Sequence, residues 1–246
     1  FGLDAAGGVM RYLEEHNIGF DVGVTKVPLV CQSCLFDLTV GDLMVRPDAD
    51  LAYKACQNAE QGNYRDGCFG AGTGATVGKL LGMEHCMKSG IGSYAVQVGE
   101  LKVGALVAVN ALGDIYDWKT GRKVAGLLAE DGKTFANAEE IALCKTEVVE
   151  NKFVGNTTLG VIVTNGCFQK AQLCKIAGMG HDGYARAIRP VHTTADGDSI
   201  YAVSLGNVQA DQDVVGALAA QVMAEAILRA VQAAKSGYGF PAVSDL

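Results

Sequence analysis

Phe153-Val-Gly-Asn-Thr-Thr-Leu-Gly-Val-Ile-Val163 passes from a polar, glycine-broken lead-in straight into apolar, β-branched residues. The run Leu159 to Thr164 reads as a strand of the fully buried sort, because it does not alternate as a half-solvated strand would. On its N-terminal side, Gly92 to Val98 and Leu101 to Val109 flank Gly99-Glu100 and read as a hairpin. On its C-terminal side, Phe168 to Met179 carries helical spacing and Ser199 to Leu205 reads as a strand. Asp213 to Ala234 reads as a long alanine-rich helix with Leu218, Val222, Ala226, Leu228 and Val231 on or near one face. Long helices interleaved with hairpins predict an α/β fold with helices layered on sheet.

Further out, Leu3 to His16 has its apolar residues on one helix face, and Leu51 to Ala59 is a second short helix. Val22 to Val30 and Leu35 to Val40 read as strands or extended segments. Gly70-Ala-Gly-Thr-Gly-Ala-Thr-Val-Gly-Lys79 is a glycine-rich loop expected to pass into a helix ending near Leu81. Asp114 to Glu140 has few apolar residues and is expected to be a mobile surface loop, and Lys145 to Glu150 resumes an alternating pattern. With neither an internal repeat nor a proline- or serine-rich linker, a single domain over residues 1–246 is expected.

The chain has 246 residues, 19% of them charged and 49% hydrophobic, a composition of globular and not of disordered chains. Its formal net charge is −7, and Lys and Arg never form a run, so neither a nucleic-acid nor a membrane partner is expected. Nor does any apolar run read as the roughly 20 residues of a membrane span. The eight cysteines are irregularly spaced. Cys31-Gln-Ser-Cys34 is a lone CxxC that reads as half a zinc site, a redox motif or, as the simpler reading, two ordinary thiols. Free thiols and no signal peptide point to a cytoplasmic location. No metal and no cofactor is expected.

Two stretches invite chemistry. The glycine loop fails the Walker pattern, because Thr73 stands where its first glycine belongs and Leu80 follows Lys79. It fails the dinucleotide fingerprint at Val77. Close backbone packing and oxyanion binding by Gly72 and Gly74 at a helix N-terminus both remain open. Asn156-Thr157-Thr158 reads as a glycosylation sequon, a turn entering a strand, or a self-cleaving nucleophile. In the last case the Thr157 hydroxyl attacks the Asn156 carbonyl, and water resolves the ester. The new chain then begins at Thr157, whose α-amine, with an ordinary pKa of about 7.7–8.0, serves as base for its own hydroxyl.

Six stretches in one order carry a family resemblance. They are Phe1-Gly-Leu-Asp-Ala-Ala with Gly8-Val-Met, the glycine loop Gly70 to Lys79, Val107-Ala-Val-Asn110-Ala, Asn156-Thr-Thr-Leu-Gly, His181-Asp-Gly-Tyr-Ala-Arg-Ala-Ile, and His192-Thr-Thr-Ala-Asp-Gly-Asp198. The chain resembles the DmpA-type L-aminopeptidase/D-esterase family, with β-aminopeptidases and nylon-oligomer hydrolases among its relatives. The resemblance implies a four-layer α/β/β/α sandwich, like that of the ornithine acetyltransferases. It also implies cleavage into an α-chain part (1–156) and a β-chain part (157–246), and an oligomer of such α/β heterodimers. In such relatives about a quarter of the full chain precedes the Phe-Gly-Leu-Asp motif, so an N-terminal segment is expected to be missing before Phe1.

Carried over by position, the resemblance makes Thr157 the nucleophile and Asn156 the new C-terminus. Asn110 becomes the amide that stabilises the oxyanion, Lys79 a lysine near the nucleophile, and Asp196 and Asp198 the pair that orients amine and hydroxyl. Taken alone, Asp196-Gly-Asp198 is an ordinary turn, Asn110 the end of a strand and Lys79 a solvated helix lysine. His181 and His192 are read as structural, because the resemblance places the chemistry elsewhere. Several members carry a tyrosine that assists the oxyanion where this chain has Phe36.

Three functions follow as expectations. The first is a self-processing aminopeptidase or amidase acting on small amides or short peptides through an acyl-enzyme at Thr157. The second is an ω-amino-acid oligomer hydrolase, or an acyltransferase using the same intermediate. The third is an uncleaved small-molecule-binding protein on the same scaffold.

Overall fold

The computed structural model describes residues 1–60, 62–145 and 155–246. The alternating stretch Lys145 to Glu150 and the polar lead-in Asn151 to Gly155 fall, apart from Lys145 and Gly155, outside them. The chain divides into two compact units, one made of Phe1–Cys34 and Gly41–Tyr64, the other of Leu35–Val40 and Arg65–Leu246.

In the first unit, helix α1 (Ala5–Glu15) packs on α2 (Ala49–Gln57), and a small hairpin joins β1 (Phe20–Asp21) to β2 (Lys26–Val27). The helices approach closely because Gly8 has no side chain: a Cβ there would lie 1.8 Å from the Ala49 carbonyl oxygen. Asp48 caps α2 by accepting the Leu51 N–H at 2.8 Å. Where Val22 to Val30 reads as extended in sequence, only two residues in each of β1 and β2 pair.

The second unit contains, in chain order, β3 (Thr76–Val77), β4 (Met87–Lys88), β5 (Ile91–Val98), β6 (Leu101–Asn110), β7 (Asp114–Tyr116), β8 (Lys123–Ala125) and α3 (Ala138–Cys144). It continues with β9 (Thr157–Gly166), α4 (Lys170–Ala187), β10 (Ile188–Arg189), β11 (Ser199–Val208) and α5 (Gln212–Ala233). Its centre is a four-stranded sheet in the order β11-β9-β6-β5. The hairpin forms as its sequence predicts, with Val98 opposite Leu101. β9 lies antiparallel to β6, and β11 returns beside β9 in parallel after the α4 crossover.

Helices α4 and α5 pack on each other and on the sheet. Val103, Val107 and Ile162 from the strands and Val222, Met223, Ala226 and Ile227 from α5 are buried there. Two glycines make this layer thin. A Cβ at Gly92 would lie 2.1 Å from the Ala226 carbonyl, and one at Gly183 2.5 Å from that of Ala220. Helix α5 has 22 residues and contains an 18-residue stretch of mean hydropathy 1.6, so by length and composition it passes for a membrane span, contrary to the sequence reading. Its burial, 67% of that stretch, makes it the core helix of this unit. The α/β class holds, with helices layered on sheet.

Two expectations are corrected. The glycine loop does not enter a helix. Gly70–Gly72 makes one 3-10 turn, then the chain extends into β3, and Gly78 adopts φ +77°. A side chain at Gly78 would collide with the Gly126 backbone at 2.1 Å, so close packing and not helix capping explains that glycine. Asp114 to Glu140 is no solvent loop either. It forms β7, β8 and the start of α3, and Ile115, Ala125, Leu127 and Leu128 are buried. Polarity misleads here because Asp114 is itself fully buried. Its carboxylate pairs with Lys123 Nζ at 2.7 Å and accepts the N–H groups of Leu127 and Ala138 at 2.7 and 2.9 Å.

Candidate active site

Strands β6 and β9 end together, and that register builds the site. Asn110, the last residue of β6, stands opposite Thr157, the first of β9. Just before β9, Asn156 pairs in parallel with Asp196, so the turn that leads into β11 lies beside the Asn156–Thr157 peptide. Thr157 and Asn156 are both buried.

The Thr157 hydroxyl donates to the Asn156 carbonyl oxygen at 2.5 Å. The same oxygen accepts the backbone N–H of Gly197 at 2.9 Å. A donor aimed at a carbonyl oxygen stabilises the negative charge that gathers there when the carbon is attacked. The Asn156 side chain is less well served: its Nδ2 donates to the Ala195 carbonyl at 3.4 Å, and its buried Oδ1 has no hydrogen-bond partner among the described residues.

Asn110 is held by its acceptor side. Its Oδ1 receives Lys79 Nζ at 2.6 Å and the Thr76 N–H at 3.1 Å. Its Nδ2 therefore faces the other way, donating to the carbonyls of Phe36 at 3.0 Å and Gly155 at 3.2 Å. Lys79 Nζ also donates to the Asn110 backbone carbonyl at 3.0 Å. Burial of this amine lowers its pKa to about 7, against the weaker opposing pull of Cys86, Asp196 and Asp37. Lys79 is accordingly an amine with a substantial neutral fraction at neutral pH.

The two aspartates do different jobs. Asp198 Oδ1 accepts the Thr158 N–H at 2.8 Å, and its Oδ2 accepts from His192 Nδ1 at 2.8 Å. Asp196 accepts from the Thr193 hydroxyl at 2.6 Å, the Thr193 N–H at 3.1 Å and the Leu112 N–H at 3.4 Å. Burial, with a smaller contribution from Asp198, raises the Asp196 pKa above the usual carboxylate value in spite of those donors.

A cavity of about 330 Å³ opens beside this cluster, walled by Phe36, Asp37, Thr76, Lys79, Met83 and Asn156 among others. Phe36 is one wall of the cavity, with its ring packed on Gly155. A Cβ at Gly155 would fall 2.1 Å from a ring carbon. Of the two loop glycines, Gly72 packs on the backbone of Gly67, Gly90 and Ile91. Gly74 makes room for the Asp37 carboxylate, which would lie 2.1 Å from a Cβ there. Asp37, whose pKa burial raises, lines the cavity.

The structure therefore brings Thr157, Asn156, Asn110, Lys79, Asp196 and Asp198 into one connected cluster. Sequence reasoning missed Gly197, because a backbone N–H leaves no residue-type signal. It also missed Thr76 and Asp37, whose roles depend on folding across the sheet ends. Tyr184 lies in the stretch His181-Asp-Gly-Tyr-Ala-Arg-Ala-Ile, and its buried hydroxyl is 3.1 and 3.2 Å from the carbonyls of Thr158 and Ser199. Among the described residues no group of His, Cys, Asp and Glu is arranged to hold a metal ion.

Peptidase family S58 matches over residues 1–242. The chain is 37% identical over 265 residues to an uncharacterized aminopeptidase of Mycobacterium leprae, covering 98% of this chain and 71% of that protein. It is 30% identical over 248 residues to the 6-aminohexanoate-oligomer endohydrolase of an Agromyces species, covering 94% of this chain and 68% of the other. A Burkholderia β-aminopeptidase structure superposes with a TM-score of 0.59 at 19% identity, covering 96% of this chain and 67% of that one, a likeness of fold.

Proposed function

The chain belongs to peptidase family S58, as its resemblance to the DmpA-type aminopeptidases implied, and from that premise we propose that it cuts itself between Asn156 and Thr157 and then hydrolyses small amides with Thr157. The observation that carries the reading is the Asn156 carbonyl oxygen, which accepts the Thr157 hydroxyl and the Gly197 N–H together.

In the first step Thr157 Oγ1 bonds to the Asn156 carbonyl carbon while its proton passes to a neutral amine, for which Lys79 is the candidate. Gly197 N–H stabilises the oxyanion. The peptide nitrogen leaves with a proton, giving an ester between Asn156 and Thr157. Water then hydrolyses the ester, leaving an Asn156 carboxylate and a Thr157 with a free amine.

In turnover the same oxygen attacks a substrate amide, the substrate's amine departs with a proton, and water releases the acid from the acyl-enzyme. The Asn110 amide, oriented by Lys79 and Thr76, is the donor suited to that oxyanion. Phe36 offers no hydroxyl to help it. The substrates suggested by the relatives' names are short peptides and 6-aminohexanoate oligomers, and the cavity beside Lys79 is the place for the acyl part.

Mass spectrometry under denaturing conditions tests the reading. Two fragments meeting at Asn156/Thr157 are expected, and Thr157→Ala should abolish both the cut and the hydrolysis of peptide and aminohexanoate-oligomer substrates. A chain that stays whole on prolonged incubation contradicts it.

A further inference from the structure

We propose that His192, backed by His181, is a positioning residue for Thr157, clamping Asp198 so that its other oxygen fixes the start of β9. This inference rests on the proposed nucleophile and names a part of its machinery.

The connections are continuous. Asp198 has two oxygens and spends them on two partners, the Thr158 N–H at 2.8 Å and His192 Nδ1 at 2.8 Å. Held at one oxygen by a ring, the carboxylate cannot rotate away from the strand. Thr158 is the residue after the nucleophile, so the clamp sets the first peptide of β9 and with it the aim of the Thr157 hydroxyl. A shift of about 1 Å in such a group is enough to cost about a hundredfold in rate.

The imidazole is itself constrained. His192 adopts φ +56°, a left-handed conformation that residues with side chains seldom take. Its ring lies 4.8 Å from that of His181 and 5.8 Å from that of Tyr184, both on α4. His192 Nε2 is 3.2 Å from His181 Nδ1. With both rings neutral, His181 Nδ1–H donates to His192 Nε2, which leaves the His192 proton on Nδ1, facing Asp198. Asp182 on α4 is a further charged group that acts on His181. Nδ1–H donation survives protonation of His192, so the clamp itself is not a pH switch.

The test follows the self-cutting rate of freshly synthesised chain in three forms: native, His192→Leu and His192→Asn. The Asn amide places its nitrogen where the ring's Nδ1 stood and keeps the donor. We expect Leu to slow cutting about tenfold or more and Asn to restore most of it, with all three forms cooperatively folded. In uncut Thr157→Ala protein, imidazole nitrogen NMR should show His192 protonated on Nδ1 at neutral pH. Native-rate cutting in His192→Leu, equal loss in both variants, or an Nε2-only proton on His192 overturns the clamp. A native chain that never cuts overturns the nucleophile reading instead.

Discussion

Gly197 and Asn156 are joined by a 2.9 Å hydrogen bond from the backbone N–H of the first to the carbonyl oxygen of the second. That carbonyl belongs to the peptide that the Thr157 hydroxyl adjoins. The donor comes from the turn before β11 and the acceptor from the lead-in to β9. The parallel pairing of Asn156 with Asp196 is what sets them face to face.

Gly197 leaves little room for a side chain. A Cβ there would sit 3.0 Å from Thr157 Oγ1. Gly197→Ala should therefore push the hydroxyl aside and slow self-cutting by about tenfold to a hundredfold. A time course of fragment appearance on denaturing gels measures it.

Lys79 predicts a pH dependence with a definite sign. If its neutral amine is the base, the cutting rate rises with pH through about 7 and levels off above. Lys79→Met should remove that inflection and most of the rate. A second consequence concerns stability. The folded pKa lies below that of the unfolded chain, so the unfolded state binds more protons between the two values. The native fold should gain stability from this residue as pH rises from about 7 toward the ordinary lysine pKa. Lys79→Met should thus compare more favourably with the native chain in Tm at pH 6 than at pH 9.

Asn110→Ala removes the amide that Lys79 and Thr76 orient. Loss of one oxyanion donor costs about a hundred- to a thousandfold in kcat, and that is the expected fall in amide hydrolysis, with KM little changed. Steady-state kinetics on a chromogenic amide decide it. An unaltered kcat would leave Asn110 a purely structural residue.

Asp114→Ala tests the buried pair in the region that sequence polarity marks as loop. The substitution strands the Lys123 ammonium, 12% exposed, and three donors lose their acceptor. Breaking a buried pair this way costs about 3–5 kcal/mol, readable as a lower midpoint in urea denaturation. Asp114→Asn should recover part of it, because an amide oxygen still accepts from backbone N–H groups.

Tyr184→Phe removes a buried hydroxyl set between the carbonyls of Thr158 and Ser199. About 1–2 kcal/mol of stability should go with it, measured by the same denaturation. The loss falls on the two strands that carry the site.

The amino-acid sequence alone determined the elements that rest on local periodicity. The β5–β6 hairpin, strand β9 and helices α4 and α5 follow from apolar spacing and from Gly99-Glu100, although β9 alternates between buried and half-buried residues where its sequence reads as buried throughout. It also carried the ordered motifs by which the family is recognised, and with them Thr157, Asn110, Lys79, Asp196 and Asp198 as candidates. Tertiary structure decided what those residues meet. Asp114 reads as a surface charge until Lys123 and two N–H groups close on it. Lys79 reads as a solvated helix lysine until burial brings its pKa to about 7. Gly197 carries no side-chain signal at all, and His192, at φ +56°, meets Asp198 only once the chain is folded. Periodicity is a property of neighbours along the chain, whereas desolvation and hydrogen-bond direction depend on groups that only the folded register brings together.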